Sequence, residues 1–209
     1  MAKLLFFLCQ VVGISLSGVM APGPVTATTI VMGARNRYAG VLIAVGHGIV
    51  EFPVMILIVL GMGTVLKSEL SQVIIGLAGG GFLLVMAVQM FAGLKSVDTQ
   101  AAKPARGAPV MAGVILSAGN PYFLVWWATV GLSLATTARG LGIWAFVVFA
   151  VVHWLCDLVW LAALSWASFK GSVLLGPRSL RIVLTICASA LVGFGLYFVY
   201  NAVGLIGSS

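Results

Sequence analysis

Six stretches of this sequence each run past twenty residues with at most one charge apiece. A chain with that much continuous apolar surface has few places to put it. The hydrocarbon core of a bilayer is about 30 Å thick, and a helix rising about 1.5 Å per residue crosses it in about 20 residues. The runs are Leu4–Met32, Ala39–Leu66, Val73–Leu94, Val110–Leu134, Leu141–Phe169 and Leu180–Ile206. They predict an all-α integral membrane protein, a single membrane domain over residues 1–209 with six transmembrane helices. Composition agrees, since 62% of residues are apolar and 7% charged, against about 25% charged in a soluble domain. An ordinary water-soluble enzyme and a disordered chain are both excluded. The first run has the outline of a secretory leader, with Lys3 ahead of it and small residues at Ser17–Ala21. The apolar run resumes after Pro24, so no cleavage is expected.

The net charge is +7. In a soluble protein that excess would suggest nucleic acid. Here the cations lie between apolar runs, so they set topology, and no nucleic-acid partner is expected. Lys3, Lys67 and Arg139 fall on the side of the N-terminus. Arg35, Arg37, Lys95, Lys103, Arg106, Lys170, Arg178 and Arg181 fall on the other. The positive-inside rule puts the second side in the cytoplasm. A multi-pass protein of the cytoplasmic (inner) membrane with both termini outside follows. The polar connection at about residues 96–109 divides the chain into repeat one, about 4–95, and repeat two, about 110–206. Three spans from an outside start end inside, so the second half runs the opposite way. Two inverted three-helix repeats are a common plan for secondary transporters, whose sites lie near the midplane at broken helices.

The halves correspond where chemistry is expected. The first helix contains Pro22-Gly23-Pro24, and the fourth contains Gly119-Asn120-Pro121. Proline removes a backbone donor and crowds the preceding turn. The groups it frees need protein or a cavity beside them in lipid. Such breaks serve either as packing kinks or as site walls, and their recurrence in both halves favours the second. The second helix reads His47-Gly48-Ile49-Val50-Glu51 and the fifth reads His153-Trp154-Leu155-Cys156-Asp157. Residues four apart share a helix face, so each imidazole lies one turn from its acid. These are the only histidines, and no Lys or Arg lies deep in a span to pair with either acid. A charged carboxylate at the bilayer centre costs about 2.5–3.5 kcal/mol on insertion scales. The acids are therefore protonated, paired with His⁺, or on a cation. They either tie helices together or bind a proton, a metal or a cationic group. Two imidazoles and two carboxylates also suit a zinc, manganese, iron or nickel ion.

Other features carry less. Gly76 and Gly80, followed by Gly81, suit close helix packing or a homodimer face. Trp144 and Trp166 lie near the ends of the fifth span, as interfacial anchors do. Tyr122, Phe123, Trp126 and Trp127 either line a substrate path or face lipid. Thr26, Thr28 and Thr29 follow the first break and offer hydroxyls to a ligand or to the backbone. Cys9, Cys156 and Cys187 lie in apolar runs without CxxC spacing and are expected to be packing residues. With no nucleotide loop, no Ser-His-Asp arrangement and no haem motif, neither an enzyme nor an ATP-driven pump is expected, and no cofactor.

Ala21-Pro22-Gly23-Pro24, the acid after Gly46-His47-Gly48, the basic central loop and Gly119-Asn120-Pro121 together resemble the LysE/RhtB family of amino-acid exporters. The resemblance covers nearly the whole chain. It implies efflux of small amino acids or related compounds, driven by an ion gradient. The chain departs from the family pattern in two places: Glu51 follows Val50 with His47 upstream, and Tyr122 follows the second break. The wider superfamily includes divalent-cation transporters with intramembrane acids, and the two histidines add weight to that branch. The expectation is a secondary exporter of small amino acids or related metabolites, coupled to a proton or cation. Its substrate and ion site comprises Glu51, Asp157, His47, His153, Pro22, Gly23, Pro24, Asn120 and Pro121. The alternative is a divalent-metal exporter with His47, Glu51, His153 and Asp157 as ligands. A membrane scaffold held by the His–acid pairs stays open as a third reading.

Overall fold

The computed structural model describes residues 2–21, 23–62, 65, 68–94, 108–174 and 176–208. Pro22, Lys67, Lys95, Lys103, Arg106 and most of the central loop expected at 96–109 lie outside them. The described residues fold into helices and turns without a strand. In order these are α1 (Ala2–Val19), α2 (Pro24–Gly33), α3 (Ala39–Leu57), α4 (Glu69–Gly93), α5 (Pro109–Ala118), α6 (Pro121–Gly140), α7 (Ile143–Leu174) and α8 (Gly176–Ser208). Four segments are long and apolar enough to cross a membrane unaided: Ala39–Gly61, Glu69–Gly93, Ile143–Gly171 and Leu184–Ile206. Two more pairs qualify when each is taken as one broken span. α1 and α2 meet at 77°, and α5 and α6 at 59°. Large apolar side chains cover the outside, with Leu60 76% and Val88 67% exposed, as lipid contact allows and water does not. The chain is an all-α integral membrane protein.

Span ends differ from the hydropathy reading where a local signal overrides it. The second span turns at Gly61, with φ 108°, a conformation that costs a residue bearing a Cβ, and the end expected at Leu66 lies outside the described residues. The third starts at Glu69, four residues before Val73, because Ser68 caps it by accepting from the Ser71 N–H, and an acid in the first turn suits the helix dipole. The fourth runs to Gly140, past Leu134. Thr136 and Thr137 donate to the carbonyls of Leu132 and Ser133, each at 2.8 Å. Polar side chains satisfied by their own helix extend it further than hydropathy shows.

Packing brings α3, α5 and α7 together, sets α1 and α2 along α7, and lays α8 on α4. The α3–α5 crossing is the tightest. A Cβ on Gly46 would overlap the Val110 carbonyl, and one on Gly113 would overlap the Ile43 carbonyl. Gly76 and Gly80 are covered by Phe198, Val199 and Ala202 of α8, so that stripe is used within the chain. A cluster of Phe7, Val11, Met55, Phe123, Trp127 and Phe149 closes the core on one side of the histidines. Trp144 and Trp166 stand 78% and 51% exposed, about 33 Å apart along α7 at about 1.5 Å per residue. That spacing matches a bilayer core. Cys9 is exposed, and Cys156 and Cys187 are buried thiols.

Candidate functional site

The two His-x-x-x-acid turns meet. His47 and Glu51 of α3 face His153 and Asp157 of α7, and all four are more than nine-tenths buried. Glu51 Oε1 is shared: it lies 3.2 Å from His47 Nε2 and 3.1 Å from His153 Nε2. The Asp157 oxygens lie 3.6 Å from His47 Nε2 and 3.8 Å from His153 Nε2. Glu51 Oε2 and Asp157 Oδ2 are buried without a hydrogen-bond partner among the described residues. Buried acceptors left so are costly, and they mark the place where a cation or a donor belongs.

The other ring nitrogens reach two serines that sequence reasoning missed. His47 Nδ1 is 2.6 Å from Ser117 Oγ in α5, and His153 Nδ1 is 2.7 Å from Ser15 Oγ in α1. Both serines are fully buried. The only signal for them in the sequence is a serine in the apolar run before each helix break, and in the first run Ser17 shares it. The two contacts differ. The Ser117 hydroxyl donates to the Gly113 carbonyl at 2.6 Å. Its single proton is thus committed, and at His47 it accepts, so Nδ1 carries a hydrogen. Ser15 has no other hydrogen-bond partner among the described residues. It is free to donate to His153 Nδ1, which leaves the proton on His153 Nε2, facing Glu51.

Both breaks border the same cavity. It has about 90 Å³ open to the centres of water-sized molecules, room for several waters or a small solute. Gly23, Pro24, Thr26, Asn120, Tyr122 and all four cluster residues line it. At the first break Gly23 is extended and Pro24 opens α2. Thr26 Oγ1 donates to the Ala21 carbonyl, which the break leaves free, at 3.2 Å. Thr28 is half-buried, and Thr29 Oγ1 is buried without a partner among the described residues. At the second break the Asn120 side chain accepts from the Tyr122 N–H at 3.1 Å, and buried Pro121 opens α6. Of the expected site residues, Pro22 alone lies outside the described part of the chain. Trp126 stacks on His153 at 5.1 Å, Trp127 meets its ring edge-on at 5.1 Å, and Phe123 meets His47 edge-on at 5.2 Å. These aromatic residues wall the cavity.

A family model described as LysE type translocator matches residues 16–202. The chain belongs to that family. No curated protein and no solved structure matches it. The match runs from just after Ser15 to the last turns of α8, so it takes in both breaks and all four cluster residues. A LysE type translocator is a transporter and not an enzyme. It acts on small molecules within the bilayer as a multi-pass protein.

Proposed function

We propose that this protein exports small amino acids or related metabolites from the cytoplasm, with a proton or other cation bound at the His/acid cluster as the coupling ion. The observation that carries the proposal is the single cavity bordered by both helix breaks and by all four buried titratable groups. Small zwitterions suit such a site. The N-terminal ends of α2 and α6 present backbone N–H groups and a positive dipole end to a carboxylate. The acids offer an ammonium group its counter-charge.

The two halves, about 4–95 and 110–206, work as inverted repeats in the inner membrane, with both termini outside. Each histidine is held by a serine of the opposite half: Ser15 on His153 and Ser117 on His47. Glu51 of the first half bonds His153 of the second. Rocking of one half against the other therefore has to break these bonds, and it changes which cation the cluster holds. Binding that differs between two states is what couples an ion to a movement.

The test is efflux from proteoliposomes loaded with individual L-amino acids, with and without a proton gradient. Gradient-dependent efflux of at least one small amino acid is expected, and it should fall in both Glu51→Gln and Asp157→Asn, further in the first. Wild-type rates in both variants, with the protein folded, would remove the coupling role.

A further inference from the structure

The proton count at His47 leads past export. Ser117 fixes a hydrogen on His47 Nδ1. If the ring is neutral, its Nε2 lone pair points at Glu51 Oε1, 3.2 Å away, and at Asp157 Oδ1, 3.6 Å away. Three acceptors facing one another repel, and the repulsion is relieved by a cation among them, either a proton on Nε2 or a metal ion. A metal-bound histidine has this arrangement: one ring N–H donates to a fixed outer partner, and the other nitrogen is held ready for the ion. Ligand atoms about 2.1 Å from one tetrahedral ion lie about 3.4 Å apart, close to the separations seen here. One atom from each of His47, Glu51 and Asp157 lies within 4.8 Å of the other two.

His153 differs. Ser15 is free to donate to its Nδ1, which puts the remaining proton on Nε2, 3.1 Å from Glu51 Oε1. A protonated nitrogen cannot ligate. It can hold a ligating carboxylate in place. We propose that His47, Glu51 and Asp157 bind one divalent transition-metal ion, and that His153 stands outside the ligand set as the donor orienting Glu51. One imidazole and two carboxylates suit Zn²⁺, Mn²⁺ or Fe²⁺, whereas Mg²⁺ and Ca²⁺ prefer all-oxygen sites. The cavity leaves the remaining coordination positions open to water or solute.

The inference does not rest on amino-acid export, and its test contains no transported solute. Zn²⁺ is titrated calorimetrically into tag-free, chelator-stripped full-length protein in detergent, and Co²⁺ is followed by its visible absorption. A Cys9→Ser background removes the exposed thiol, and size-exclusion profiles check folding. One ion per chain is expected. His47→Ala should weaken binding at least 100-fold, and Asp157→Asn should do so comparably. His153→Gln keeps an N–H donor and should stay within about tenfold, while His153→Ala should lose about 10–100-fold, as lost outer partners do. No saturable binding, or binding unchanged in folded His47→Ala, would overturn the site. Equal loss in His153→Gln and His47→Ala would overturn the division of roles.

Discussion

The two His-x-x-x-acid turns look interchangeable in sequence and are not interchangeable in the fold. His47 sits beside a serine whose proton is already spent on the Gly113 carbonyl. His153 sits beside a serine with its proton to give. His47 has Phe123 edge-on, whereas His153 lies among Trp126, Trp127 and Phe149. The acids diverge too. Glu51 Oε1 has both imidazole Nε2 atoms within 3.2 Å, and Asp157 Oδ2 has no hydrogen-bond partner among the described residues. A repeated motif thus supplies equivalent atoms, and the neighbours from the other half assign them different tasks. Identical spacing does not make identical chemistry, because a histidine's role is set by the partner of its second nitrogen.

Removing the shared acid should have the largest effect. Glu51→Gln deletes the one group that both histidines address. Breaking a buried pair costs about 3–5 kcal/mol, and where that cost falls on the transport cycle efflux drops at least about 100-fold, at about 1.4 kcal/mol per tenfold. Asp157→Asn should lower efflux less, since Asp157 makes only longer contacts, at 3.6 and 3.8 Å. Initial efflux rates of the two variants, normalised to reconstituted protein, rank them. Equal losses would mean that the acids are equivalent and the comparison fails. The serines come next. Ser117→Ala removes two buried hydrogen bonds and Ser15→Ala removes one. A buried polar group left unpaired costs about 1–3 kcal/mol. Thermal unfolding in detergent should place Ser117→Ala below Ser15→Ala, and both below wild type.

Much of this was legible in the sequence. Apolar runs gave the helices, because the bilayer admits little else at that length, and prolines marked both breaks. The His–acid turns were legible because buried charge is rare in lipid. Their meeting was not. That depends on the α3–α5 and α3–α7 crossings, and the α3–α5 approach is set by Gly46 and Gly113 on different halves. Ser15 and Ser117 were hidden for the same reason. A serine in an apolar helix bonds its own backbone by default, and only the fold shows that it reaches a histidine more than sixty residues away. The turn at Gly61 and the end at Gly140 depend on a backbone dihedral angle and on hydroxyl bonds within the helix, which hydropathy does not weigh.

The smallest effects test what holds the His47 side in place. Ser117 reaches His47 because α3 and α5 approach where neither has a side chain. An added methyl at Gly46 would overlap the Val110 carbonyl, so the helices must separate. Overpacking of this kind costs about 1–3 kcal/mol. Gly13 in α1 has nothing within 4 Å of an added Cβ, and alanine there gains helix propensity of up to about 1 kcal/mol. Gly46→Ala should therefore lower the unfolding temperature and slow efflux, while Gly13→Ala should raise it or leave it unchanged. The informative comparison is Gly46→Ala with Ser117→Ala. If the close crossing serves only to bring the Ser117–His47 contact into register, the double variant should be little worse than the more harmful single one. Unfolding losses that add in full would mean that the crossing stabilises the bundle independently. The two histidines would then differ in their hydrogen bonds alone, not in the rigidity of the walls that hold them.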